Sequence, residues 1–203
     1  MFSIAKAASI AMLAAVALPA QEPVYKFSTT VYGTPVYSFG TTSVGSGFRG
    51  DIYFLKQGAK KLPDFSKLTP VGAVYTPYLC VPLRDFDKGF PGVTDRFEWF
   101  AIDYTARFWI SDPGTYRFSL ASDDGSILYI DGKKVIGNDK EHPLKEKSHS
   151  IALARGLHSI RVSYFQGPRF QVALVLRVAR PGQSELFVFN TDDFKPPTGA
   201  LAP

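Results

Sequence analysis

Disulfides, clustered metal ligands, basic stripes and helical periodicity are all missing from this chain, and each absence removes a class of protein. A single cysteine, Cys80, excludes an intramolecular disulfide, so the core has to hold without covalent staples. Between Tyr78-Leu79 and Val81 it reads as a buried thiol, ahead of a nucleophile or an intermolecular bridge. The three histidines, His142, His149 and His158, lie in polar, loop-like or strand-edge segments. No nucleophile motif stands beside them and their spacing is not that of a zinc site, so each reads as a surface residue. The formal charge of +5 falls to +4 if Lys6 is removed with a leader, and the remaining lysines and arginines are scattered. Nucleic-acid binding wants a basic stripe or a recognisable module, and neither is present.

The first twenty residues carry one charge, Lys6, an apolar run from Ala7 to Leu18 and small residues ending at Ala20. That is the layout of a secretory signal peptide, with the mature chain beginning near Gln21 and Ala15-Val16-Ala17 as a rival cleavage site. The run is short for a membrane span. The tail from Lys195 is polar and proline-rich, so no stable membrane insertion is expected and the localisation is secreted, periplasmic or extracellular. The divisions are residues 1–20 as signal peptide, 21–49 as N-terminal strands or extension, 50–190 as a β domain and 191–203 as a tail. Val24 to Phe27 and Val36 to Phe39 look like the arms of a hairpin turning at Gly33-Thr34-Pro35.

Strand signals fill the rest. Gly50 to Leu55 is one strand; Lys56 to Asp95 is mostly loop, broken by five prolines, with a short strand around Val74. In Glu98 to Ile110, the residues Ile102, Tyr104, Ala106, Phe108 and Ile110 fall on one face. Tyr116, Phe118 and Leu120 alternate with polar neighbours in the next strand, which should stop at Ser122-Asp123-Asp124-Gly125. Ile127 to Ile130 and Lys133 to Ile136 flank Asp131-Gly132, a tight hairpin signal. Ser148 to Leu153, Ser159 to Phe165 and Phe170 to Val178 complete the set, the last with Phe170, Val172, Leu174, Leu176 and Val178 on one face. Many short strands joined by Gly, Pro and Asp turns predict an all-β, antiparallel β-sandwich or barrel.

Two adjacent carboxylates in one turn, Asp123 and Asp124, repel each other unless both are solvated or a cation lies between them. A solvated turn is the plain reading. Glycoside hydrolysis needs two opposed carboxylates, which neighbours in sequence do not supply unaided, so no enzyme is expected.

The strings Gly114 to Phe118, Ser122 to Ser126, Leu128 to Lys133 and Ala154 to Gly167 together resemble the protective-antigen-type domain, shared by an anthrax toxin component, secreted glycosidases and fungal adhesins. The resemblance is good from Trp99 to Leu176 and weaker from Gly50 to Glu98, where Gly50-Asp51-Ile52-Tyr53 resembles the opening strand. It implies a β-sandwich or barrel. In the adhesin branch it implies that consecutive aspartates, here Asp123 and Asp124, bind calcium across a cis peptide bond. An asparagine of a second loop joins them there, and Gln166 occupies that place; Gln166-Gly167 instead resembles the members that accompany bacterial enzymes. The candidate metal ligands are therefore Asp123, Asp124 and Gln166, and the candidate ligand-binding residues are these with Gly125 and Arg169. Phe165 and Phe170 offer an apolar face to a sugar or pack at a strand edge; Trp99 and Trp109 read as core or sheet-face residues. The expected function is non-catalytic carbohydrate binding, calcium-assisted, with a glycan or polysaccharide as partner. The alternative is a structural or protein-interaction β domain using Asp123-Asp124 only as a turn.

Overall fold

The computed structural model describes residues 47–93 and 96–197; the expected signal peptide and the Val24 to Phe39 hairpin lie outside them. In chain order the strands are β1 (Phe48–Phe54), β2 (Gly72–Thr76), β3 (Cys80–Asp85), β4 (Phe100–Ile110), β5 (Gly114–Asp123), β6 (Ser126–Ile130), β7 (Lys133–Asn138), β8 (Lys145–Leu153), β9 (Gly156–Gln166), β10 (Gln171–Ala179) and β11 (Phe187–Val188). Short 3-10 turns occur at Phe65–Lys67, Phe86–Lys88 and Thr191–Phe194. One sheet has the order β2-β1-β4-β9-β6-β7; the other runs β11-β10-β5-β8, with β3 also pairing β10. All of these pairings are antiparallel. The result is the all-β antiparallel sandwich that the alternation predicts.

Alternation places the core. On β4, Ile102, Tyr104, Phe108 and Ile110 are buried, while Asp103, Thr105, Arg107 and Trp109 take the outward positions. They meet Val172, Leu174, Leu176 and Val178 of β10 in one cluster, each such side chain contributing about 1.5–3 kcal/mol by leaving water. Asp131 and Gly132, with φ of 49° and 73°, form the tight turn between β6 and β7. Asp131 is more than a turn residue: it accepts from the Ser159 N–H at 2.9 Å and pairs with His158 at 2.6 Å.

Several expectations change. Pro82 did not prevent a strand: β3 lies beside β10 with Pro82 exposed, the edge placement proline tolerates. The core takes in Phe48 and Phe194, outside the expected bounds of 50 and 190, and Phe194 stacks on Phe189 with ring centroids 5.0 Å apart. Phe170 precedes β10 and is 81% exposed, so it does not share the buried face of Val172 to Val178. Cys80 is half-buried, with burial pushing its thiol pKa up. His158 is half-buried: its ring packs on Phe108, centroids 5.5 Å apart. Among the described residues, no helix is long and apolar enough to cross a membrane.

Candidate functional site

The aspartate pair sits where β5 ends. Asp123 is the last residue of that strand, opposite Ala173 of β10, and the peptide bond joining it to Asp124 is cis. Both residues are nearly buried, at 7% and 6% exposure. Asp124 fastens two loops: Oδ1 accepts the His142 N–H at 3.1 Å and Oδ2 accepts the Gly167 N–H at 2.8 Å. Burial, and then the Asp124 charge, push Asp123 up to about 6, against the opposing pull of His142 and a backbone hydrogen bond from Leu144. Asp124 is also raised by burial, with Glu141 adding to the effect and the Gly167 and His142 N–H groups opposing it. Among the described residues, no lysine, arginine or histidine side chain forms an ion pair with either carboxylate.

Beneath the pair, the Tyr164 hydroxyl lies 2.7 Å from both the Asp123 carbonyl and Gln166 Oε1. One proton thus serves two acceptors and links the first loop to the second. Gln166 is fully buried, and its Nε2 donates to the carbonyls of Pro168 at 3.2 Å and Gln171 at 3.1 Å. Those bonds hold the loop, and the amide oxygen, the expected metal ligand, is turned to Tyr164. Tyr164→Phe is expected to keep the fold, since the ring still stacks on Phe90 at 4.9 Å, while costing about 1–3 kcal/mol for the buried acceptors left unmade. Urea denaturation checks the cost, and faster amide exchange at Gly167 checks the loosened loop.

The other candidates separate. A Cβ on Gly125 would run into the Phe165 ring, and the Gly125 carbonyl accepts the Phe165 N–H at 2.9 Å. Gly125 is therefore a point of close packing. Phe165 is fully buried in a satellite cluster with Leu55 and Ala101, against which Trp99 also packs, so it offers no face to a sugar. Arg169 is exposed on the second loop and faces Glu98 at 3.6 Å. One residue on, Phe170 has φ of 125°, a region bulky side chains rarely adopt, and its carbonyl is held by the Phe86 N–H at 3.1 Å. Phe170 is thus an exposed aromatic on a fastened backbone, three residues past Gly167, whose N–H binds Asp124.

A third loop, from Lys140 to His142, meets the pair. Lys140 has φ of 84°, Glu141 comes within 3.5 Å of where a Gly167 Cβ would be, and His142 binds Asp124 through its backbone. The His142 ring is fixed between the Asn138 carbonyl at 2.8 Å and the Pro143 carbonyl at 2.9 Å. Only the run of charges from Lys140 to Lys147 marked this stretch, and charge alone does not say which loop it meets.

The donor set fits a hard cation in part. Two near-buried carboxylates without a direct ion-pair partner suit calcium, yet among the described residues no three histidine, cysteine or acidic side chains converge. Calcium takes about six to eight oxygens, so carbonyls, water or ligand hydroxyls have to complete the shell. Two cavities, of about 770 and about 500 Å³, lie away from the pair, at the loop after β10 and on the outer face of the six-stranded sheet.

Comparison with known proteins adds a family and a fold. The family model described as the PA14 domain matches residues 83–186. Anti-sigma-I factor RsgI3 of Acetivibrio thermocellus is 28% identical over 145 residues, spanning 70% of this chain but only 20% of that protein. The chain thus corresponds to about a fifth of that relative's length. Among solved structures, the PA14 sugar-binding domain from an RTX adhesin superposes with a TM-score of 0.57 at 16% identity, covering 72% of this chain and 96% of that one. The Epithelial Adhesin 9 A domain of Candida glabrata, in complex with Galb1-3GlcNAc, gives 0.54 at 12% identity, with 74% and 88% covered. At such identities, the structural likeness speaks for the fold alone.

Proposed function

The chain belongs to the PA14 domain family, and on that premise we propose that it is a secreted, non-catalytic carbohydrate-binding module whose Asp123-Asp124 loop holds calcium and a glycan. The observation that supports this reading is the pair of adjacent, nearly buried carboxylates with no direct ion-pair partner among the described residues, His142 acting on them only from a distance. Burying like charges is unfavourable, and a bound cation offsets that cost. Bound calcium would accept vicinal sugar hydroxyls as further oxygen ligands. Asp123 and Asp124 would hold it, the Gly167 and His142 N–H groups orient Asp124, and Gln166 holds the loop that presents Phe170 to the sugar ring.

A glycan array probed with the protein from Gln21, in calcium and again in chelator, tests this beside the double variant Asp123→Asn with Asp124→Asn. Signals lost in chelator and in the variant are expected. Phe170→Ala should weaken the same signals about tenfold without altering stability, since the ring is exposed. Because the metal needs ionised carboxylates, lowering the pH from 7 to 5 carries Asp123 through its value of about 6 and should weaken calcium binding by about tenfold.

A second reading draws on Gln166, whose amide is occupied within the protein. If the pair serves only as a turn, the chain is a protein-interaction β domain, and a folded sample would give no array signal under either condition.

A further inference from the structure

We propose that the outer face of the six-stranded sheet is a second, metal-independent binding surface for an acidic oligosaccharide. Strand register sets Arg49 of β1, Thr105 of β4, Arg161 of β9, Tyr129 of β6 and Lys134 of β7 in one row across that face. A cavity of about 500 Å³ opens there, lined by Thr105, Arg107, Tyr129, Ser159 and Arg161 among others. That volume is within the range of small-ligand sites.

The cleft is already organised. The Arg161 guanidinium lies 5.4 Å from the centre of the Tyr129 ring and 5.6 Å from that of Phe65, and its Nε donates to Asp103 at 2.7 Å. Phe65 belongs to the loop packed over the neighbouring part of the face, against Tyr53 at 5.0 Å.

Charge identifies the occupant. Asp51 is engaged by Arg49 at 2.9 Å, Asp103 by Arg161 and the Ser163 hydroxyl, and Asp131, at the cleft's edge, by Ser159 and His158. Asp51 and Asp103 are therefore paired with arginines within this surface, while the Asp131 carboxylate is held at its edge by Ser159 and His158. Arg107 and Lys134 are exposed and form no ion pair among the described residues. Arg107 lies two residues along β4 from the row, roughly 7 Å, and Lys134 stands directly opposite Tyr129. An aromatic plane flanked by two uncompensated cations, with hydroxyls at Thr105 and Ser159, matches a pyranose chain: the ring's C–H face lies on tyrosine, its hydroxyls meet Thr105 and Ser159, and its carboxylates meet the cations.

Titration calorimetry in chelator, with the protein from Gln21, tests the surface using a mannuronate hexamer and neutral mannohexaose as probes. The hexamer should bind at least about tenfold more tightly than mannohexaose, and Arg107→Ala and Tyr129→Ala should each weaken it by about tenfold. Both side chains lie on an outer sheet face, and retained melting temperatures would show that the fold is intact. The double variant Asp123→Asn with Asp124→Asn should leave this binding unchanged, which separates it from the loop site. No binding by folded protein, binding unaffected by Arg107→Ala and Tyr129→Ala, or binding lost in the aspartate variant would each overturn the proposal. Equal, Arg107-dependent binding of a hexaglutamate peptide would also overturn it, assigning the face to an acidic protein segment.

Discussion

Asparagine in place of Asp123 is expected to raise the stability of the metal-free protein at pH 7 while abolishing its response to calcium. The sign follows from the direction of the shift. Burial and the neighbouring Asp124 raise the carboxyl from 3.8 to about 6, so the folded state prefers it protonated. Stability from this group is complete below about 4 and is lost as the pH rises through about 6, leaving an ionised, unfavourably buried carboxylate at pH 7. Asparagine keeps the shape and removes the charge. A gain of about 1 kcal/mol, or roughly 3 °C in melting temperature, is expected without metal. Calcium should raise the melting temperature of the natural protein and leave that of Asp123→Asn unmoved. A solvated turn would show neither effect, so thermal melts of both proteins, with calcium and with chelator, separate the two readings.

Two residues further on, Gly125→Ala should act in the opposite direction. Its Cβ would overlap the Phe165 ring and approach the Lys140 backbone N to 2.9 Å. Neither neighbour gives way cheaply: Phe165 is fully buried against Leu55 and Ala101, and Lys140 is backbone of the loop that carries His142. Overpacking of this kind costs about 2–3 kcal/mol, or roughly 8 °C. Chemical denaturation checks it, and a neutral result would mean that the three loops are not packed together as described. Opposite stability changes at positions 123 and 125 would locate the effect in this turn.

Legibility in the sequence followed contact range. Period-two alternation gave β4 and the buried face of β5, and Asp131-Gly132 gave its hairpin, because each pattern is local. The DDG string and its likeness to a known family singled out Asp123 and Asp124. What escaped was non-local. β3 was hidden because proline forbids a central strand but not an edge one. Phe170 shares the apolar alternation of β10, yet the chain enters the strand only after passing it, and no periodicity reports that bend. The fastening of Asp124 to His142 and to Gly167 spans 18 and 43 residues, and nothing in the intervening sequence announces either bond. Gln166 lies on the loop that the resemblance implies, but sequence does not say which way a buried amide faces, and its oxygen meets Tyr164.

Calorimetric titration of calcium into the chelator-stripped protein from Gln21 at pH 7 is the most direct measurement. One binding event per chain is expected, absent from the double variant Asp123→Asn with Asp124→Asn. Absence of binding by the folded natural protein, or equal binding by the variant, would contradict a calcium site at this turn.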